Sequence, residues 1–465
     1  MRTLEVALLV SALVGSGWLL LARRMSSTGL LVLLIGLATV GTAQAALEGS
    51  RWQLVPVYLA AGLLIASCGS AALTSRDAPV FRRTVTVVAV VLTALSGLAA
   101  WALPVDLLPE PPGPQPVGTV SVLIQDEDRI ERYGPEPGGA RQLVLQAWYP
   151  ADPTALSDPE PWISDVDAFG DEAAEEVGLP RFALSHLDQV LTSSTPGARA
   201  ATVPSGSPVV VLSHGWSGFR TIHADLAESL ASRGYVVLAI DHTHGALASL
   251  LPNGGAVPID RAALPDAGTV PRDVYAAASE TLVATFAADI QRALDVLAND
   301  EIPVLAGATD LTRVAFVGHS TGGGGAVLAC SQDERCGAVV GFDPWVNPVP
   351  DATIGAGLAA PLLSLRSEEW TRLPNDDRLA ALHAASRGPE GRVAILGTQH
   401  RDFTLIPTLS PLAGILGLRG ATPTDRTREI VDTWTVGFLD HHLRDQGIDP
   451  LVDAPGFPES VPTDP

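Results

Sequence analysis

The stretch RVAFVGHSTGGGGAVLAC, Arg313 to Cys330, decides the reading of this chain. RVAFV is an apolar run of strand character, Gly318 to Gly323 spell GHSTGG, and the small-residue segment GGGAVLAC reads as a helix. A strand turning sharply into a helix at G-x-S-x-G holds a serine exposed on a strained turn. Glycine is needed at Gly318 and Gly322 because side chains there would collide with neighbouring backbone. Ser320 is therefore the candidate nucleophile. A bare G-x-S-x-G carries little weight in a chain with 44 glycines, so its surroundings and partners must decide.

Outward from this stretch, the short apolar runs QLVLQAWY, PVVVLSH, YVVLAI, AVVGFD, PLLSLRS and RVAILG recur on both sides. Helix-like segments such as HADLAESLASRG and TLVATFAADIQRALDVLAND stand between most of them. Continuous Val, Leu and Ile runs alternating with amphipathic helices indicate a mostly parallel sheet with helices on both faces. With the turn at Ser320, this specifies the α/β-hydrolase fold, assigned to residues 118–446. Residues from about Ala151 to Val203 carry few strand signals and are expected to form a cap or a pocket wall. The last helix, REIVDTWTVGFLDHHLRD, ends near Asp445, and the acidic, proline-rich residues 447–465 are expected to be disordered. There are no internal repeats.

Residues 1–104 differ sharply in character. Four segments, about Leu4 to Ala22, Thr28 to Leu47, Leu54 to Thr74 and Thr84 to Leu103, each approach the ~20 apolar residues that span a bilayer. None shows the polar face of a helix in a soluble bundle, so a domain of four transmembrane helices is expected. Orientation follows from arginine, because the chain has no lysine. Arg23 and Arg24 follow the first span, and Arg76, Arg82 and Arg83 follow the third, so those two loops are expected in the cytoplasm and everything beyond residue 104 outside it. Reading Arg23 and Arg24 as the start of a signal peptide cleaved after AQA, Ala43 to Ala45, leaves the large domain on the same side. A stiff spacer, residues 105–117, contains LPEPPGPQPV and separates membrane from enzyme.

Residues 1–104 carry a net +4, so the remainder stands at −26 within a whole-chain charge of −22. Such a surface argues against nucleic acid and against electrostatic docking on anionic lipid, both of which need a basic face. Attachment to the membrane comes from the spans. Of three cysteines, Cys330 and Cys336 flank the turn CSQDERC and are expected to form a disulfide in an oxidising compartment. No histidine or second cysteine pair stands near them at ligand spacing, and no metal is expected.

An activated serine needs a base within hydrogen-bond reach and an acid to orient it, and in this fold they follow it as acid, then histidine. His383, His400, His441 and His442 follow Ser320. His400 comes directly after the strand RVAILG, in GTQHRDF, and is the expected base; the other three read as helix-surface residues. For the acid, Asp343 follows the strand after the elbow, while Glu368 and Glu369 follow the next one, the more usual position. Pattern alone leaves the two sites level.

The elbow GHSTGG, the segments GFDPWVNPV and GTQHRDF, and the upstream SHGWSGFRT together resemble the plasma type of platelet-activating factor acetylhydrolase and its bacterial relatives. The resemblance covers about Pro116 to Arg444. It implies that the acid is the earlier one, in a D-x-W-x-x-P context matched by Asp343, Trp345 and Pro348. It also reads Ser213 to Arg220 as the oxyanion loop, with the N–H groups of Trp216 and Thr321 as donors. For substrate it implies a phospholipid with a short or oxidised acyl chain, hydrolysed without metal or organic cofactor. Two departures matter: Thr321 stands where the family commonly has an aromatic residue, and the secreted members lack the spans. A broad short-chain ester or polyester hydrolase is the alternative, as is a silent membrane sensor or binding module. His242 and His244, in IDHTHG, are expected near the pocket mouth or in a structural role.

Overall fold

A computed structural model of the chain describes residues 1–21, 26–74, 79–106, 108–135 and 137–463. Arg23, Arg24 and Arg76, on which the orientation argument leans, lie outside the described residues. The chain divides into two compact units. The first comprises Met1–Leu107 with Leu179–Val190 and Leu409–Leu412, and the second comprises Leu108–Gly178, Leu191–Thr408 and Ala413–Pro465.

The first unit contains α1 (Thr3–Leu21), α2 (Ser27–Leu47), α3 (Val55–Thr74) and α4 (Pro79–Ala102). Leu8, Leu19, Leu37, Leu54, Val57 and Leu64 form its core, whereas Val14, Val32, Ile35 and Leu98 are exposed. Apolar residues on both faces suit a helix bundle whose solvent is lipid. Three stretches are long and apolar enough to cross a membrane, Thr3–Leu21, Thr28–Leu47 and Val80–Ala102. The expected third span falls short among the described residues, where its apolar stretch is Trp52–Cys68, so the count is three rather than four. The buried Glu5 carboxylate is satisfied by Arg51 through Nε at 2.9 Å and Nη2 at 2.8 Å. A short 3₁₀ segment, Arg181–Gln189, also belongs to this unit, although its position in the sequence assigned it to the hydrolase. Phe182 packs edge-on against Trp52, and Gln189 donates to the Ser50 carbonyl at 2.9 Å, so its apolar side is covered here.

The second unit runs β1 (Val117–Ile130), β2 (Ala140–Pro150), α5 (Val166–Val177), β3 (Ser194–Pro196), β4 (Ser207–Ser213), α6 (Ala224–Ser232), β5 (Val236–Asp241), β6 (Ala248–Leu250) and β7 (Ala256–Pro258). It continues through α7 (Arg272–Ala298), β8 (Thr309–His319), α8 (Thr321–Cys330), β9 (Cys336–Phe342), α9 (Asp351–Ala356), β10 (Leu362–Ser367), α10 (Asn375–Ala385), β11 (Glu390–Ile395), α11 (Thr424–Arg444) and β12 (Ser460–Thr463). Ten strands make one sheet in the order β12-β11-β10-β9-β8-β4-β5-β2-β1-β3. The central run from β11 to β5 is parallel, and β2 and β1 extend it antiparallel. Val209, Val211, Leu238, Phe316 and Val339 are buried in this sheet beneath α7 and α8, as the continuous apolar runs require. The core is thus built around β8, the strand that delivers Ser320.

The C-terminal segment departs from expectation. Ser460–Thr463, placed by composition in a disordered tail, pairs antiparallel with β11, and the Trp434 indole donates to Ser460 Oγ at 3.1 Å. Val461 and an otherwise open edge strand supply the pairing that acidity and proline content conceal. Cys330 and Cys336 are joined by a disulfide between α8 and β9.

Candidate active site

Ser320 caps α8 with φ 54° and ψ −119°, a conformation unfavourable for a side chain larger than glycine. Its N–H donates to the Phe342 carbonyl at 2.9 Å, and its own carbonyl accepts from Trp345 at 2.8 Å, so neighbouring backbone holds the turn. A Cβ at Gly318 would stand 2.3 Å from the Gly322 carbonyl oxygen, and one at Gly322 would stand 2.3 Å from that of Ser213. The glycines that follow serve close approach as well. A Cβ at Gly323 would meet Pro344, one at Gly324 the Trp345 carbonyl at 2.2 Å, and one at Gly325 the Phe286 side chain of α7. Four consecutive glycines, each costing about 1 kcal/mol of helix propensity, let α8 lie against four neighbours.

His400 opens a 3₁₀ turn, His400–Phe403, beyond β11, and its Nδ1 lies 2.9 Å from Asp343 Oδ2. Asp343 follows β9 and its carboxylate is buried. Ser367, at the end of β10, donates its N–H to Oδ1 at 2.8 Å and its hydroxyl to Oδ2 at 2.6 Å. The alternative acids serve the same loop through its backbone: Glu369 accepts the His400 N–H at 2.9 Å and Glu368 the Gly397 N–H at 2.8 Å. The His400 ring is stacked on Trp370 at 4.1 Å, and His319 tilts against it at 4.4 Å. Burial pushes the His319 imidazole well below its usual range, so it packs there as a neutral ring. The motif reading missed Ser367 and Trp370, which have no fixed spacing from the nucleophile; it weighed Glu369 only as an alternative acid, and it gave His319, the residue before Ser320 in GHSTGG, no role.

The loop after β4 passes beside the elbow, where a Cβ on Gly215 would stand 2.9 Å from Ser320 Cβ. Trp216 follows, half-buried, and Ser217 has φ 54°. Among the described residues, no backbone carbonyl takes up the N–H of Trp216 or Thr321. Beneath this loop lies a second serine, histidine and aspartate set, fully buried. His242 places Nε2 2.7 Å from Ser213 Oγ and Nδ1 2.9 Å from Asp289 Oδ2, with its ring stacked on Phe286 at 3.7 Å. Asp289 also binds Arg141 at 2.6 Å and Arg129 at 2.7 Å. Burial lowers His242 to about 3; burial alone would raise Asp289, but the Arg141 charge outweighs it and holds the carboxyl low. His242 is therefore a neutral strut under the loop. His244 bonds the Pro258 carbonyl, so neither histidine of IDHTHG stands at a pocket mouth.

The remaining candidate bases lie elsewhere. His383 is buried, with Nε2 2.9 Å from Ser364 Oγ and Nδ1 on Glu390, which corrects its expected place on a helix surface. His441 and His442 sit at the end of α11, beside Asp449.

A nucleophile turn at the carboxyl edge of this sheet, on this fold, defines a serine carboxylic ester hydrolase. A sequence profile described as platelet-activating factor acetylhydrolase, isoform II, matches residues 105–251 and 288–451, and the chain belongs to that family. The platelet-activating factor acetylhydrolase of Cavia porcellus is 24% identical over 321 residues, covering 64% of this chain and 72% of its own length. Cutinase 2 of Thermobifida cellulosilytica is 29% identical over 174 residues, 36% of this chain and 53% of that enzyme. Among solved structures, a ferulic acid esterase from Streptomyces cinnamoneus aligns with a TM-score of 0.62 and 26% identity, covering 78% of this chain and all of that one.

Proposed function

We propose that the protein is a membrane-attached, platelet-activating factor acetylhydrolase-like enzyme that cleaves short or oxidised acyl chains from phospholipids through an acyl-enzyme on Ser320. The Ser320 hydroxyl attacks the ester carbonyl and passes its proton to His400, which returns it to the departing alcohol. Asp343 holds His400 in the tautomer that leaves Nε2 free to accept. The Trp216 and Thr321 N–H groups hold the oxyanion in both steps, and water then releases the acid. The observation that carries this reading is the 2.9 Å bond from His400 Nδ1 to the buried Asp343, beside a serine held at φ 54°.

The acetylhydrolase relatives support the phospholipid substrate, and apolar helices at the N-terminus would keep the enzyme at its lipid. The cutinase relatives support a second reading, a hydrolase of short-chain esters or polyesters. The catalytic unit works outside the cytoplasm in this proposal, which suits a disulfide at Cys330 and Cys336. A membrane-impermeant fluorophosphonate probe tests the proposal. It should label wild-type protein on intact cells and leave Ser320→Ala unlabelled; labelling only after lysis would overturn the orientation, and equal labelling of the variant would overturn the nucleophile. Acyl-chain profiling on phospholipids against p-nitrophenyl esters then separates the two substrate readings.

A further inference from the structure

The end of α11 carries two adjacent histidines, and the chain folds back on them. Asp445, at φ 55°, caps the helix, Gly447, at φ 70°, continues the reversal, and Asp449 returns to face His441 and His442. Asp449 Oδ1 is occupied by the Leu451 N–H at 2.9 Å. Oδ2 instead lies 3.9 Å from His441 Nε2 and 3.6 Å from His442 Nε2, both beyond hydrogen-bond reach. One ligand atom from each of the three residues falls within 4.8 Å of the others. The His442 side chain is 8% exposed, and its Nε2 is buried with no hydrogen-bond partner among the described residues. Phe438, one turn earlier, fixes that ring edge-to-face at 4.5 Å. An imidazole held in place and aimed at a carboxylate it does not touch is costly unless something stands between them.

We propose that His441, His442 and Asp449 form a three-ligand site for a Zn²⁺-class divalent ion. Bonds of about 2.0–2.1 Å at tetrahedral angles put ligand atoms about 3.4 Å apart, so the two separations to Asp449 close with shifts of a few tenths of an ångström, and the one between the histidines, within 4.8 Å, closes by rotation of the half-exposed His441 ring. Two nitrogens and one carboxylate oxygen suit zinc, cobalt or nickel better than calcium or magnesium. His441 is 37% exposed, which leaves the fourth position to water. The ion would staple the returning turn to α11. Just beyond it, Leu451 packs over Gly391 of β11, where a Cβ would stand 2.3 Å from its Cδ2, and β12 then pairs with β11. The site is independent of the hydrolytic reading.

The test uses full-length protein in detergent, stripped with EDTA and desalted. After incubation with Zn²⁺, elemental analysis should count one ion per chain, and the unfolding temperature should rise by several degrees. Co²⁺ in place of Zn²⁺ should give visible absorption of tetrahedral intensity. Asp449→Asn and His442→Ala should each weaken binding by about 100-fold or more, above the 10–100-fold typical of outer-shell partners, while the exposed Asp453→Asn binds as wild type. Ester hydrolysis reports folding of each variant, and the near-isosteric Asp449→Asn carries the test if His442→Ala fails to fold. No stoichiometric uptake by the wild type, or unchanged uptake by Asp449→Asn, would overturn the site and leave a bridging water as the occupant.

Discussion

Gly322→Ala examines the tie between the elbow and the loop after β4. The added Cβ would lie 2.3 Å from the Ser213 carbonyl oxygen and 2.4 Å from that of His214, where ordinary contact begins near 3.4 Å. Both obstacles are backbone at the end of a central strand, so no side chain can swing away; α8 and the strand end must part by about 1 Å. A displacement of that size in a catalytic constellation can cost 10²-fold, and losing one oxyanion donor costs roughly 10²–10³-fold in kcat. The expected outcome is therefore a fall in kcat of about 10²–10³ with little change in KM, because the donors act on the transition state more than on bound ester. Overpacking should also lower stability by about 1–3 kcal/mol. Gly355, exposed in α9 with nothing within 4 Å of a Cβ, is the control, and Ala there should leave activity unaltered. Kinetics on p-nitrophenyl butyrate and thermal unfolding of all three proteins measure both effects. A Gly322→Ala enzyme within threefold of wild-type kcat would refute the claim that this contact positions the oxyanion loop.

Asp343→Asn should lower kcat by about 10⁴ while the protein stays folded, whereas Glu369→Gln should cost less than tenfold, as steady-state kinetics will show. Asp289→Asn removes the shared partner of Arg141, Arg129 and His242, and should cost about 3–5 kcal/mol in denaturant unfolding. Burial lowers His242 and His223 to about 3, against about 6.5 for histidine in the unfolded chain. Above pH 6.5 neither state binds these protons; between 6.5 and 3 the unfolded state binds more, so each residue should cost about 1.4 kcal/mol per pH unit on acidification. Melting temperature should be level above pH 7 and fall below 6.5, and a level profile down to pH 5 would contradict the neutral assignment. Replacing both Cys330 and Cys336 by serine opens a bridge of sequence separation 6, and should lower stability by about 2 kcal/mol in the same unfolding assay.

The strand runs and the Ser320 turn were legible because a buried parallel strand must be apolar along its whole length and a strained turn must have glycine beside it. What the sequence concealed depends on partners distant along the chain. Arg181–Gln189 reads as irregular until Trp52 is seen covering Phe182. Ser460–Thr463 has the composition of a tail until β11 presents an open edge. The His242 strut needs Ser213, Phe286 and Asp289 brought together from three elements, and no spacing rule links them.

The choice between Asp343 and the glutamates shows where pattern reading stops. All three stand at the carboxyl ends of adjacent parallel strands, β9 and β10, and such strands lie about 4.8 Å apart, so a carboxylate after either could reach the same histidine. Direction decides. Asp343, at φ 43°, turns its carboxylate inward to a buried position where Ser367 supplies two donors and the His400 ring supplies the third. Glu368 and Glu369 meet the loop from outside and bind amides of Gly397 and His400. Asp402 adds a further clamp, accepting from Gln399 at 2.7 Å and Gly420 at 2.8 Å. One carboxylate orients the imidazole and three fix the backbone that carries it, so replacing an outer glutamate should loosen the His400 loop without removing the partner of its ring.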